Sequence, residues 1–211
     1  MNVLKKTSIT VFAILFALVI TSCGSSDSQI KDEQLSGFML GGIYFFNGYG
    51  GADEVKSMMS DAGYTSNADL VSGYKEILEF PFEKSQAAGI KSMFREMWDV
   101  TNKASLVETI QDLKTREHEF KAWDYARIVN NACMGYAAGY LSKDEVISMT
   151  QEVLPLAREK YPTWDAYYTD FNKGRIDWNE NDPEAEAFQA LSENMTKGDD
   201  SIFKIIPLNA K

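Results

Sequence analysis

The chain has 211 residues, 45% of them hydrophobic and 12% aromatic, which is enough to build one hydrophobic core. Its formal net charge of −10 argues against binding nucleic acid and against lying flat on anionic lipid. The excess of acid is compatible with a basic protein partner, or with solubility alone.

The first 22 residues combine a positive start with an apolar stretch and lead into a cysteine. Residues 5–6 are lysines, and residues 9–20 are apolar but short for a membrane span. The sequence Ile-Thr-Ser before Cys23 resembles a bacterial lipobox. This resemblance implies removal of residues 1–22 and attachment of fatty chains such as palmitate to Cys23; several chains anchor a protein stably. The alternatives are an ordinary secretory signal and a short membrane anchor with a chance cysteine.

The lipobox predicts a protein held by lipid in a bacterial cell envelope, facing the periplasm or the cell surface. Removal of the signal would leave 19 basic and 31 acidic residues, a formal charge of −12. Residues 23–34 are polar and serine-rich, which predicts a flexible tether followed by one helical domain over residues 35–211. Cys133 would be the single free thiol, so no intramolecular disulfide is expected.

Apolar residues at helical spacing predict four helices in the first half of the chain, over residues 30–47, 55–62, 66–80 and 82–98. Thr101 or Ser105 is predicted to cap the next helix, since Ser105 and Glu108 have the spacing of a capping box.

Three further helices are predicted between Lys121 and Trp178. The first is rich in small residues and should end at Gly139, because glycine tolerates the left-handed geometry that follows a helix. Ser142 and Glu145 form a capping box at the start of the second, which gives Glu145 a structural role in place of an acid–base one.

The remaining boundaries follow from polar residues, glycine and proline. Thr163 is predicted to cap the third helix, and Gly174 to end it. Asp182 followed by Pro183 predicts the start of a last helix, which runs to about residue 195. Residues 197–211 are expected to form an irregular tail.

Three spaced motifs carry a resemblance to a known family. They are WDxxR from Trp123, GYxxGYLSxxE from Gly135 and YPTWxxYxxxFxxGRxxW from Tyr161. This order resembles the bacterial domain of unknown function numbered 1266, over about residues 97–178 and more loosely over 82–195. The resemblance implies an all-helical fold and no particular activity. Periodicity and resemblance together predict an all-α, compact single-domain bundle of roughly seven or eight helices.

One group of residues could form a ligand pocket. Asp124 and Arg127 are adjacent on one helix face, and Arg175 belongs to the same family pattern. Ringed by Trp123 and Trp178, these charges could bind a carboxylate or a phosphate. The more common role of such charges is an ion pair that fixes helix ends.

No catalytic or metal-binding set is predicted. His118 is the only histidine and lies in a charged connecting segment, so it is expected at the surface. Cys133 lies on a small-residue helix face and is expected to be inert core. Residues 177–188 begin like a calcium loop, but Asp182 stands where glycine is required and Phe188 where glutamate is required. We therefore predict no cofactor and no metal.

Three hypotheses for function remain. The first is a non-catalytic, lipid-anchored binding or interaction module, with a basic partner if the partner is a protein. The second is an enzyme or small-anion-binding protein that uses the Asp124/Arg127/Arg175 pocket. The third is an acidic inhibitor, similar to an immunity protein, of a basic toxin or enzyme.

Overall fold

The computed structural model describes residues 30–209, and within this range the chain forms helices and no strand. The all-α prediction is therefore confirmed, but the described range holds eleven helices where seven or eight were predicted. None of these helices is both long and apolar enough to cross a membrane. The helices are α1 Glu33–Met39, α2 Gly42–Gly48, α3 Ala52–Asp61, α4 Asn67–Leu78, α5 Ala87–Trp98, α6 Lys103–Thr115, α7 Lys121–Ala137, α8 Lys143–Lys160, α9 Trp164–Trp178, α10 Ala185–Met195 and α11 Ile202–Ile205.

Helix α7 lies at the centre of the domain. Thirteen of its 17 residues are buried, although its sequence predicted a single buried face. It packs against α6, α8 and α9, and more lightly against α2 and α5. The small side chains of Ala126, Ala132 and Ala137 let neighbouring helices approach from several directions, which explains why burial extends around the helix.

The turn between α7 and α8 follows the predicted chemistry. Gly139 adopts a φ of +78°, and the amide of Tyr140 donates to the carbonyl of Gly135 at 2.8 Å, closing the end of α7. Ser142 then caps α8: its hydroxyl accepts from the amide of Glu145, and the Glu145 carboxylate accepts from the amide of Ser142. Both predicted boundaries are confirmed.

Helix α9 begins as predicted but ends later. The Thr163 hydroxyl accepts from the amide of Ala166 at 3.1 Å, as expected of an N-cap. Gly174 does not end the helix, which continues to Trp178. A Cβ atom at position 174 would lie 2.7 Å from the Cβ of Trp123 on α7. The glycine is therefore explained by the close approach of α7 and α9.

The N-terminal apolar stretch forms two short helices, α1 and α2, and not the single helix predicted over residues 30–47. The break at Leu40 leaves backbone carbonyls without a partner in the helix. Tyr167 donates its hydroxyl to the carbonyl of Leu40 at 3.0 Å, and Tyr168 donates to that of Met39 at 2.6 Å. This segment, which lies before the family resemblance begins, is therefore part of the core.

The predicted tether over residues 23–34 overlaps the start of α1. Asp32 caps α1 by accepting from the amide of Leu35, and its carboxylate pairs with Lys75 at 2.8 Å. Ordered structure therefore begins before residue 35. Residues 23–29 and the predicted signal peptide lie outside the described residues.

The predicted irregular tail is wrong for the residues up to Asn209. Helix α11 lies within it, and its apolar side chains are buried together with Ile206 and Leu208. The indole nitrogen of Trp164 donates to the carbonyl of Ile206 at 2.9 Å, and Arg158 donates to that of Leu208 at 2.8 Å. The segment lacks clear helical periodicity because it is short and is held by α8 and α9.

The predicted cap of α6 is also wrong. Asn102, and neither Thr101 nor Ser105, is the N-cap, and its side chain accepts from the amides of Ala104 and Ser105. Ser105 takes the third helical position and accepts in return from the amide of Asn102 at 3.2 Å. Asn102 and Ser105 are both residues that can cap a helix, and Asn102, the earlier of the two, is the N-cap.

Candidate functional site

A buried carboxylate near the start of α7 is surrounded by basic groups. The Asp124 side chain is 0% exposed. Arg116 donates to it through Nε and Nη2, Arg127 through Nη2 at 2.5 Å, and Lys121 through Nζ at 3.3 Å. The Nδ1 atom of His118 lies 3.1 Å from Asp124 Oδ2. We call these five residues the Asp124 cluster.

The Asp124 cluster fixes the connection between α6 and α7. The Lys121 ammonium also donates to the carbonyls of Leu113 and Arg116 at the end of α6, at 2.9 and 3.1 Å. Burial raises the pKa of Asp124, but the hydrogen bond from Arg116 and the charges of its basic neighbours outweigh burial, so the pKa lies below its ordinary value. A carboxylate held in this way is a structural anion and not an available base.

His118 belongs to this cluster, so the predicted surface histidine is wrong. Its side chain is 18% exposed, and its ring lies 6.0 Å from the rings of Phe120 and Trp123. The buried carboxylate of Asp124 draws the imidazole inward, and Asp177 faces its other nitrogen at 3.9 Å. The contact with Asp124 joins residues six apart, which a scan of sequence spacing does not reveal.

Glu145 and Cys133 lie outside any ligand site. Lys103 donates to Glu145 at 2.5 Å, and that bond together with the bonds from Ser142 lowers the pKa of Glu145 to about 2. Cys133 is fully buried in α7, and burial raises the pKa of its thiol. The thiol is therefore neutral, as the prediction of inert core requires.

Arg127 connects the Asp124 cluster to an open cleft. Its guanidinium carbon lies 3.4 Å from the ring centre of Trp123 and 5.7 Å from that of Trp98, so the group is held between two indoles. Its Nε donates to the carbonyl of Trp123 at 3.3 Å. The side chain is 13% exposed, and that exposed part lines the cleft.

Arg175 reaches the same cleft from α9 but pairs with different acids. Its Nε and Nη2 donate to Asp182 at 3.0 and 2.5 Å, and Glu184 lies 3.5 Å away. Its guanidinium carbon lies 3.7 Å from the ring centre of Phe188. The predicted trio of Asp124, Arg127 and Arg175 is thus divided, with each arginine holding its own carboxylate.

The pairing of Asp182 with Arg175 also explains why the predicted start of the last helix is wrong. Helix α10 begins at Ala185, three residues after the predicted cap Asp182. One Asp182 oxygen accepts from the amide of Glu184 at 3.1 Å, while the other is held by Arg175. The aspartate therefore stabilises a turn before α10 and ties that turn to α9.

The cleft, which we call the tryptophan cleft, has a volume of about 500 Å³. Four of the five predicted pocket residues line it, namely Trp123, Arg127, Arg175 and Trp178, whereas Asp124 lies behind Arg127. The remaining lining residues come from α2, α5, α7 and the connection between α9 and α10: Tyr44, Met93, Met97, Trp98, Asn130, Met134, Asn179, Asp182, Pro183 and Glu184.

The walls of the tryptophan cleft are aromatic and methionine-rich. The Trp123 and Trp178 rings lie 5.9 Å apart at an angle of 43°. At the mouth, Trp178 is 67% exposed and Met97 is 72% exposed. Large apolar side chains so open to solvent on two sides of one cavity are typical of a binding site.

Two polar groups lie deeper in the tryptophan cleft. Burial raises the pKa of Tyr44 to about 12, although the positive charges of Arg127 and Arg175 act in the opposite direction. The Asn130 carbonyl oxygen is buried and has no hydrogen-bond partner within residues 30–209.

Among the lining residues that sequence analysis missed are those contributed by α2 and α5. Tyr44 lies in a glycine-broken apolar stretch, and Met93 lies within an ordinary helical stripe, so neither has a local signal of function. Met97 and Trp98 end α5. Helical spacing predicts that both face inward, and the 72% exposure of Met97 is seen only in the structure.

Within the described part of the chain, no group of three or more histidine, cysteine, aspartate or glutamate side chains is placed to hold a metal ion. The tryptophan cleft offers flat apolar walls, two fixed guanidinium groups, two carboxylates and a few neutral polar atoms.

The fold is that of an all-α domain with an open cleft lined by aromatic side chains. Residues 114–208 match the model of a family described as "Protein of unknown function (DUF1266)". This match supports the family resemblance but runs from the end of α6 to beyond α11, further towards the C-terminus than the predicted 97–178. No curated protein matches the chain. No solved structure matches it either.

Proposed function

We propose that this protein is a lipid-anchored binding module of the bacterial cell envelope whose ligand site is the tryptophan cleft. The observation that carries the proposal is the pairing of exposed Trp178 and Met97 at the mouth with partly buried, fixed Arg127 and Arg175 inside. A monomeric protein gains nothing in stability from exposing large apolar side chains around a cavity, so a ligand is the simplest reason to keep them.

Binding is favoured over catalysis because the two aspartates near the cleft are already engaged. Asp124 is bonded to three basic side chains, and Asp182 is held by Arg175. A general base must have a free lone pair within reach of the substrate proton, which neither carboxylate offers. The alternative enzyme hypothesis would have to use Tyr44 or Glu184.

A comparison of co-purifying compounds tests the binding role. The full chain is purified from envelope membranes in detergent and denatured, and the released compounds are identified by mass spectrometry. We expect a compound that is retained by the wild type, lost from Trp178→Ala and kept by Val107→Ser. Val107 is a matched control because it is exposed and apolar but lies outside the cleft, on α6. Equal retention by all three proteins would contradict the proposal, and turnover of the compound would favour the enzyme hypothesis.

The anchoring part of the proposal is supported by the lipobox-like sequence that ends at Cys23. Replacement of Cys23 by serine should move the protein from the membrane fraction to the soluble fraction, because the acyl chains provide the anchor. The measurement is fractionation of cells followed by detection of the protein in each fraction. Continued membrane association of Cys23→Ser, with residues 1–22 still attached, would instead indicate a membrane anchor of the ordinary kind.

A further inference from the structure

Deepening the proposed function, on which this inference rests, we infer that the tryptophan cleft selects a small monoanionic carboxylic acid with a flat apolar body. The first step concerns the two guanidinium groups. Arg127 and Arg175 each use Nε and Nη2 in the bonds described above, and the Nη1 of each has no hydrogen-bond partner within residues 30–209. Each arginine therefore keeps donors for an anion.

The second step concerns rigidity. Arg127 is fixed by the Trp123 and Trp98 rings and by Asp124, and Arg175 by the Phe188 ring and Asp182. Donors held in this way lose little conformational entropy when they bind an anion. Tyr44 adds a neutral hydroxyl beside them, since its raised pKa keeps the phenol protonated at neutral pH.

The third step excludes a cationic ligand. Aromatic walls of this kind often bind ammonium groups, but here the space between Trp98 and Trp123 is already occupied by the Arg127 guanidinium. A second cation would meet the charges of both arginines at close range in a partly desolvated cavity.

The fourth step limits the charge of the anion. The charges that line the cleft balance in number, because the lining contains two arginines, Arg127 and Arg175, and two acids, Asp182 and Glu184. A carboxylate brings one negative charge, whereas a phosphate monoester brings nearly two at neutral pH and would be repelled more strongly by the two acids. Trp178 and Met97 then cover the apolar body of the ligand at the mouth.

The test uses three probes of one shape: 3-phenylpropanoate, its neutral amide 3-phenylpropanamide and the cation 3-phenylpropylamine. Binding to the full chain in detergent is followed by tryptophan fluorescence, because three of the four tryptophans line the cleft and the probes do not absorb at the excitation wavelength. We expect the carboxylate to bind roughly tenfold or more tightly than the amide, as a charge-assisted bond to arginine should provide. The amine should not bind measurably.

Variants assign this preference to the cleft. Arg175→Gln should abolish the preference for the carboxylate over the amide. Lys173→Gln removes the same charge from an exposed position on the same helix and should retain the preference. Trp178→Ala, at a position that is 67% exposed, should weaken all binding. Circular dichroism checks that each variant is folded.

Two results would overturn the inference. Equal or tighter binding of the amide or amine shows that the cleft binds ligands but does not select anions, which leaves the proposed function intact. Absence of binding by all three probes at millimolar concentration excludes this ligand class. The proposed function then fails as well only if Trp178→Ala also leaves the co-purifying compounds unchanged.

Discussion

The Asp124 cluster and the tryptophan cleft share Arg127, but their charged groups differ in how many hydrogen-bond partners they have. In the Asp124 cluster, a carboxylate with no exposed surface is bonded to three cationic side chains, so all its accepting capacity is used. In the tryptophan cleft, the guanidinium groups keep unused donors, and large apolar side chains are open to solvent. The buried carboxylate therefore stabilises the fold, whereas the two guanidinium groups keep donors that no described residue uses, and the difference is set by how many partners surround each group.

The strongest test of this contrast is Asp124→Asn. It removes the buried negative charge and leaves Arg116, Lys121 and Arg127 without their shared partner, so we expect a loss of about 3 kcal/mol in the free energy of unfolding. Urea denaturation of the mature chain measures it. Asp112→Asn, at an exposed position on α6, is the matched control and should change stability by less than about 0.5 kcal/mol. A similar small effect at both positions would show that the Asp124 cluster is not structural.

The next largest effect is expected where α7 and α9 meet behind the tryptophan cleft. Gly174→Ala places a methyl group against Trp123, so it should destabilise the domain by roughly 2 kcal/mol and displace the cleft wall. Gly89→Ala, in a helix position with open space, should instead stabilise the protein by about 0.5 kcal/mol. Thermal unfolding shows whether each variant is more or less stable than the wild type. A gain in stability in both variants would contradict the close approach of α7 and α9.

A smaller effect, with a defined pH dependence, is expected from Glu145→Gln at the start of α8. The folded-state pKa of Glu145 is about 2, below its ordinary value of 4.5, so the ionised carboxylate stabilises the fold above pH 4.5. That contribution is lost as the pH falls towards 2. The stability difference between wild type and variant should therefore be largest at neutral pH and shrink in acid, as chemical denaturation at several pH values would measure. A difference that is constant with pH would contradict the assignment.

The smallest change in stability is expected at the mouth of the tryptophan cleft. Trp178→Ala removes a side chain that is 67% exposed, so the free energy of unfolding should change by no more than about 1 kcal/mol. Ligand binding should nevertheless weaken, as described for the probes above. Urea denaturation measures the change in stability, and the fluorescence titration measures the change in binding. A large loss of stability would show that Trp178 contributes to the core.

Sequence reasoning succeeded where a structure is fixed by residues close together in the chain. The caps at Ser142 and Thr163 and the left-handed turn at Gly139 each depend on atoms within five residues, and all three are present. It failed where the local structure depends on a residue far away in the chain. The sequence predicts a helix end at Gly174 because the residue that requires a glycine there, Trp123, lies 51 positions away. It predicts a helix cap at Asp182 because local spacing gives no sign of the bond to Arg175.

The same limit applies to the candidate site. The family motifs drew attention to Trp123, Arg127, Arg175 and Trp178, which do line one cleft. Their spacing did not reveal that Asp124 is enclosed behind Arg127. It also gave no indication that α2 and α5 supply the opposite wall, because that wall depends on how whole helices pack.

The hydroxyls of Tyr167 and Tyr168 close bonds to carbonyls 127 and 129 positions earlier in the chain. During synthesis, α1 and α2 leave the ribosome long before the residues that satisfy their backbone have been made. The two backbone carbonyls between α1 and α2 therefore lack these hydrogen-bond partners until α9 has been translated. A nascent chain stalled before residue 163 should consequently remain sensitive to protease near its N-terminus and depend on a chaperone for protection.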